Sequence, residues 1–396
     1  MAKPMAERVY LDWNATAPLR PEARAAMIAA LDVAGNPSSV HGEGRAARRL
    51  VEEARREVAA LVGADAENVV FTSGGTEANA LALTPGLQTG DRSEPRGRLL
   101  VSAIEHPSVL AGGRFARDQV EELPVTAEGI VDLAALEGRL AALRTEGCTR
   151  PLVSIMHANN EAGVVQPIAA AAAMVHAAGG LLHVDAVQSA GKIPCDINDL
   201  GADLVTLSGH KLGGPKGVGA LVLREGLHIV TPLIRGGGQE RGWRAGTENV
   251  AGIAGFGAAA AAARRHREAE RRHVGALRDR LEAGLMAAFP RTTVFGATAE
   301  RLPNTTLFAV PGAKAETAVI GLDLAGVAVS SGAACSSGKV AASHVLAAMG
   351  VAPALARGAV RVSLGYASAQ SDVDGFLSAW IRLAETLLKE SQDIAA

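Results

Sequence analysis

Short apolar runs alternate along this chain with longer stretches whose apolar positions recur every third or fourth residue. Val9-Tyr10-Leu11-Asp12 reads as a short strand, and residues 20–31, opened by Pro21, have helical composition. Residues 45–62 carry Leu50, Val51, Ala54, Val58 and Leu61 at helical spacing, with arginine and glutamate on the opposite face, which predicts an outer helix. Strand-like runs follow at Val69–Thr72, 99–103, 152–156, Leu181–Asp185, Leu204–Ser208 and 218–223, separated by helical segments. That alternation predicts an α/β fold with a mostly parallel sheet. From Ala251 the chain becomes alanine-rich and then arginine-rich, with Val274, Leu277, Leu281 and Leu285 at helical spacing. Beyond it, apolar runs at 304–310, 327–331 and 360–364 alternate with helices, the last over 372–389 with Phe376, Trp380, Leu383 and Leu387 on one face. We therefore expect a large domain over residues 16–260 and a smaller α/β domain from 1–15 and 261–396.

Composition narrows the classes of function. A chain of 396 residues that is 48% hydrophobic can bury two sizeable cores. A net charge of -2 lacks the basic excess of a nucleic-acid binder, so small-molecule chemistry fits better. Cys148, Cys195 and Cys335 are far apart and form no Cys-x-x-Cys pair, which points to neither a disulfide framework nor a structural zinc site. A reducing, cytoplasmic setting is the expectation. The first residues lack a signal-peptide apolar core, and the apolar stretch over 168–184 is broken by His176, Gly179-Gly180 and His183, so no membrane association is expected.

The chemistry centres on Ser208-Gly209-His210-Lys211, which ends an apolar strand and precedes the glycine-rich Leu212-Gly213-Gly214-Pro215-Lys216-Gly217. The chain has 7 lysines against 32 arginines, so a lysine here stands out. Only an amine that can lose its proton forms a Schiff base with an aldehyde, and guanidinium cannot. No other lysine is placed by the sequence for that task. Leu181–Asp185, a second apolar strand, ends in a carboxylate 26 residues upstream of Lys211, with Gln188 just beyond. A lysine for the aldehyde and an acid for the pyridine nitrogen are what pyridoxal phosphate requires. In parallel sheets ligands lie beyond the carboxyl ends of the strands, where Thr76, His106, Asn160, Asp185 and Lys211 would all emerge. Ser73-Gly74-Gly75-Thr76 lies between a strand and a helix and reads either as a phosphate cradle or as a plain turn. His106 reads either as a helix-capping loop residue or as a ring stacked on the cofactor. Cys335, among serines and glycines, reads as an accessible nucleophile or as a small buried hydrophobe.

These motifs resemble those of the cysteine desulfurases of the NifS/IscS type, over nearly the whole chain. The marks are Tyr10-Leu11-Asp12 through Ala15-Thr16, Phe71-Thr72-Ser73-Gly74-Gly75-Thr76-Glu77, Met156-His157-Ala158-Asn159-Asn160-Glu161 and His183-Val184-Asp185 with Gln188. Further marks are Ser208-Gly209-His210-Lys211, Gly236-Gly237-Gly238-Gln239-Glu240-Arg241-Gly242 running to Gly246-Thr247, and Ser330-Ser331-Gly332-Ala333-Ala334-Cys335-Ser336-Ser337-Gly338. The resemblance implies the PLP-dependent transferase fold of aspartate aminotransferase type, with a seven-stranded, mostly parallel sheet in the large domain. It implies that Lys211 holds pyridoxal phosphate, Asp185 pairs with its ring nitrogen, Gln188 bonds its phenolic oxygen and His106 stacks on its face. Gly75, Thr76, Ser208 and His210 would bind the phosphate, joined by Thr247 from the other subunit of an obligate homodimer. Asn160 and Asn14 would lie beside the substrate, L-cysteine, and Arg361 would take its carboxylate. Cys335, counted with Lys211 and His106 as catalytic, would take the sulfur as a persulfide, leaving L-alanine. An iron–sulfur scaffold or another acceptor protein would receive that sulfur. No intrinsic metal is implied, although Cys335 could ligate an iron–sulfur cluster transiently during transfer. Selenocysteine cleavage and amino transfer are the alternatives on the same fold, and a non-catalytic sulfur-relay scaffold is the alternative of another class.

Overall fold

The computed structural model describes residues 8–90, 96–332 and 343–395. Its centre is a seven-stranded sheet in the order Val69–Thr72, Gly219–Leu223, Leu204–Ser208, Leu181–Asp185, Leu152–Ser154, Leu99–Ser102, Val120–Leu123. Gly219–Leu223 runs antiparallel to both neighbours, and the other pairs are parallel. Every residue of the six strands other than Val120–Leu123 is buried, because helices cover both faces. That is why those strands read as continuous apolar runs rather than as alternating ones. Side chains alternate across the sheet: Leu182, Val205 and Leu207 join one core with Phe71 and Phe256, whereas Leu181 and Leu204 join another with Leu81.

The expected outer helix is Gly42–Leu61, whose Val51, Ala54 and Val58 face the first of these cores. It packs against a 39-residue helix, Val250–Ala288, which also packs against Pro21–Leu31. Two glycines permit the close approach: a Cβ at Gly255 would lie 2.5 Å from Met27 Cγ, and one at Gly257 would lie 2.5 Å from Ala54 Cα. Val250–Ala288 is continuous through residue 260. Its early residues Ile253, Phe256 and Ala260 belong to the large core, and Val274, Leu277, Leu281 and Leu285 belong to a second core. We read these two cores as the two domains.

The second core gathers around Trp380, which meets Phe308 edge-on with 5.1 Å between ring centroids. Its four-stranded antiparallel sheet has the order Thr293–Val294, Thr305–Ala309, Val360–Ser363, Ser330–Ser331. Val9–Tyr10 pairs in parallel with Val327–Ala328, and Asp12 bridges to Ser363. The N-terminal segment is thus tied to this second sheet while its next residues reach the end of the large one. The final helix, Gln370–Ala395, covers the second core through Val373, Phe376 and Trp380. Among the described residues no helix is long and apolar enough to cross a membrane.

Candidate active site

A cleft of about 270 Å³ opens where the large sheet's strands end and the second domain's Arg361 approaches. Register puts Asp185 beside Thr206 on neighbouring parallel strands, so Asp185 and Ser208 reach the same edge. Asp185, Gln188, Ser208, His210 and Lys211 line the cleft from that edge. Gly75, Thr76 and His106 line it from the other side, with Asn14, Asn160 and Arg361 at the domain boundary. Thr247 is exposed and is not part of the cleft wall, and Cys335 lies outside the described residues.

Asp185 is 5% exposed and accepts two hydrogen bonds, from Val187 N at 2.9 Å and Asn79 Nδ2 at 2.8 Å. Asn79 also donates to Ser108 Oγ at 2.9 Å, and Ser108 Oγ lies 2.8 Å from His106 Nδ1. One amide therefore joins the carboxylate to the histidine. His106 caps the short helix Pro107–Leu110 by accepting from Ser108 N at 3.2 Å, as the helix-capping reading expected, and it also lines the cleft. Burial holds its imidazole below the ordinary value, against the pull of Asp185, so it is neutral at pH 7 with its proton on Nε2. Behind them Glu105 is fully buried, with Oε1 accepting from Met156 N at 2.6 Å. Burial and then the Asp185 charge push its carboxyl well up from the ordinary value.

Lys211 sits on the tight turn Gly209–Lys211 and donates to the backbone oxygens of Asn14 and, at 2.9 Å, Ala15. Arg361 is 2% exposed, pairs with Asp12 Oδ1 at 2.7 Å and donates to Asn160 O at 2.9 Å. Its Nε is buried with no partner. A guanidinium fixed at one end with an unsatisfied donor is set to take an anion. Nearby, Glu161 accepts from Ser343 Oγ at 2.5 Å, and burial raises its carboxyl to about 7 despite Ser343 and Arg361.

The helix Gly75–Ala82 points its N-terminus at Ser208 and His210. A Cβ at Gly75 would stand 3.0 Å from Val187 Cγ2 and 3.4 Å from Ser208 Cβ, so glycine leaves the helix start bare and close to that strand end. Bare N–H groups at a helix start attract anions. Burial and then Lys211 and Lys216 lower His210 to about 4, which keeps it neutral. The Gly236–Thr247 stretch is anchored beside this turn. Glu240, 6% exposed, accepts from Arg55 at 2.6 and 2.7 Å and from Phe71 N at 2.8 Å. Arg244 Nε meets Glu77 Oε1 at 2.9 Å. Glu240 and Arg241 hold left-handed backbone, φ 46° and 58°, unusual for residues with side chains and secured here by the buried ion pair.

Sequence reading missed Asn79, Ser108 and Lys192. Asn79 carries a usable signal: it lies three residues after Thr76 on the same helix, so it shares Thr76's face. Lys192 is a second lysine close to the site, although it is not among the residues that line the cleft. It reaches Asn14 Oδ1 at 3.3 Å, and Lys211 binds the backbone of the same asparagine. Cys195 is buried, with its thiol pushed up to about 12 by burial, and is thus unreactive. Among the described residues no group of three or more His, Cys, Asp or Glu could hold a metal ion. An amine, a carboxylate and a helix N-terminus that share one cleft suit an aldehyde-bearing, phosphorylated heteroaromatic ring.

Comparison with known proteins places this geometry. The class-V aminotransferase family model matches residues 9–376. A curated cysteine desulfurase of Cereibacter sphaeroides is 46% identical over 94% of this chain and 94% of its own length. The crystal structure of a NifS-like protein from Rickettsia africae superposes with a TM-score of 0.86 at 36% identity, covering 96% of this chain and 99% of that one. The structure of SspA in complex with cysteine matches with a TM-score of 0.74 at 30% identity, over 90% of this chain and 98% of that one.

Proposed function

This chain belongs to the class-V aminotransferase family and, within it, to the cysteine desulfurases, and from that premise we propose how its residues divide the reaction on L-cysteine. The observation that carries the reading is that one cleft holds Lys211, Asp185, His106 and Arg361. The donor set fits pyridoxal phosphate: the bare helix start at Gly75 with Thr76, Ser208 and His210 for the phosphate, Asp185 for the ring nitrogen and Gln188 for the phenolic oxygen. When bound through Lys211, the cofactor supplies an electron sink that makes the substrate's Cα proton acidic.

The protein's own groups do the rest. Asp185, oriented by two N–H donors, would pair with the ring nitrogen and keep it protonated, and His106 would lie on the ring face. Arg361 takes the substrate carboxylate through its free edge while Asp12 and Asn160 hold the other edge, which fixes Cα near Lys211. Asn14 and Asn160 flank the substrate. Lys211, displaced by the substrate amine, removes the Cα proton as a base. The thiolate of Cys335 then attacks the substrate sulfur: an S–S bond forms, the carbon–sulfur bond breaks, and its electron pair stays on carbon, which takes up a proton on the way to L-alanine. The sulfur leaves as a Cys335 persulfide for an iron–sulfur scaffold or another acceptor protein.

We further propose a cytoplasmic homodimer in which Thr247 completes the partner's phosphate site. Its exposure on an anchored loop supports this, as do Val230, Leu233 and Ile234, which are exposed just before that loop. Replacing Lys211 with alanine tests the core of the reading. The variant should lose both turnover and the cofactor's visible absorbance band. A variant that kept the band would show that another amine holds the cofactor.

A further inference from the structure

Behind Gln188, outside the wall of the cleft, lies the half-buried amine of Lys192. Its Nζ donates to Gln188 Oε1 at 3.0 Å and to Asn14 Oδ1 at 3.3 Å. The same Asn14 Oδ1 accepts from Asn304 Nδ2 at 3.1 Å, and Asn14 Nδ2 donates to Thr305 Oγ1 at 2.8 Å. Gln188 Nε2 in turn donates to Asn14 O at 2.9 Å. Lys192 therefore joins a large-domain residue facing the cofactor side to a residue fixed on the second domain. A primary amide has an oxygen end and an NH₂ end of nearly the same shape, and either can point outward. An ammonium can only donate. Two amides packed on one ammonium must both turn their oxygens toward it and their N–H groups away.

We propose that Lys192 is a positioning residue for the desulfurase reaction: by donating to Gln188 and Asn14 together, it fixes both amides so that Gln188 offers N–H to the cofactor's phenolic oxygen and Asn14 offers N–H toward Thr305 and the substrate side. The inference rests on the cofactor reading given above. Lys192 does not reach the cleft, so its effect passes through those two side chains. Its surroundings add a pH signature. The groups around it are the cations Lys211 and Arg361, the neutral Asn14, Gln188 and Asn304, and Arg20, Glu270 and Arg271, which line a cavity on its other side. Burial, then Lys211 and Arg361, lower its amine to about 7. A neutral amine has a lone pair and can accept from a flipped amide, so the lock holds best below that pH and relaxes above it.

Four variants test this: Lys192→Met, Lys192→Arg, Gln188→Ala and the Lys192→Met/Gln188→Ala double. In holoenzyme, Lys192→Met should release cofactor roughly tenfold faster and move the pH midpoint of its visible band, and Lys192→Arg should restore most of both. In the Gln188→Ala background, Lys192→Met should change cofactor release less than about twofold, because its route is gone. Folding is checked in cofactor-free protein. A lysine whose amine is depressed in the native state makes wild-type stability rise with pH between about 7 and the ordinary lysine value, because the unfolded chain binds more protons there. Lys192→Met should fold and show no such rise. A single variant indistinguishable from wild type, or an effect undiminished in the Gln188→Ala background, overturns the proposal while leaving the cofactor reading intact. A wild-type protein that never takes up pyridoxal phosphate overturns both.

Discussion

Asn79 offers the sharpest probe of how the ring-nitrogen side of the site is built. It is 1% exposed and donates to Asp185 Oδ2 at 2.8 Å and to Ser108 Oγ at 2.9 Å. Asn79→Ala removes one bond to a charged acceptor, worth about 1.5–3 kcal/mol, and one to a neutral acceptor, worth about 0.5–1.5 kcal/mol. Cofactor-free protein should lose about 2–4 kcal/mol in chemical denaturation. Only the first bond bears on the anion, so catalysis should fall by about ten- to a hundredfold in kcat/KM. Asn79→Asp should do worse than alanine, because it replaces a donor to Asp185 with a second carboxylate facing it. An Asn79→Ala variant with wild-type kcat/KM, or an Asn79→Asp variant milder than alanine, would refute the idea that Asn79 holds Asp185 in place for the cofactor.

Arg361→Lys should raise KM for L-cysteine by roughly ten- to a hundredfold with a smaller change in kcat, since a single ammonium cannot hold Asp12, Asn160 and a carboxylate together; steady-state kinetics showing an unchanged KM would count against the carboxylate role. Mixing Thr247→Ala with Lys211→Ala subunits should restore partial activity in heterodimers, because one of the two sites then has both residues intact. Demonstrated heterodimers with no recovered turnover would exclude the shared site.

The parts of the fold that were legible are those where burial on both faces leaves one pattern. Leu181–Asp185 and Leu204–Ser208 are buried throughout and mostly apolar, with the interior polar residues His183 and Thr206 bonded to each other, and their polar terminal residues mark the ligand edge. Val120–Leu123 escaped because it is an edge strand, paired only with Leu99–Ser102, and its Glu121 and Glu122 mask the run. The single strand expected over 327–331 is instead two short pieces, Val327–Ala328 and Ser330–Ser331, with different partners, Val9–Tyr10 and Val360–Arg361. Local pattern cannot report that change of partner.

In the site, Lys211 and Asp185 were legible because their chemistry is rare in this composition and they end apolar strands. Asn79 and Ser108 were not, because an asparagine in a helix and a serine after a proline look like ordinary filler until folding brings them to Asp185. Lys192 is hidden for a related reason. Its role comes from the company of Asn14 and Asn304, distant in sequence, and a lysine after a glycine reads as solvated surface.

The most direct measurement of the central claim concerns Cys335. Wild-type protein incubated with L-cysteine and no reductant, then digested and analysed by mass spectrometry, should carry about one extra sulfur atom on the Cys335 peptide beside a matching amount of L-alanine, and added thiol should release that sulfur as sulfide. Cys335→Ser should still bind L-cysteine and change the cofactor spectrum, because Lys211, Asp185 and Arg361 are intact, yet it should release no sulfide. A Cys335→Ser variant that produced sulfide and alanine at the wild-type rate would contradict the account and leave an enzyme that expels sulfur without a protein nucleophile.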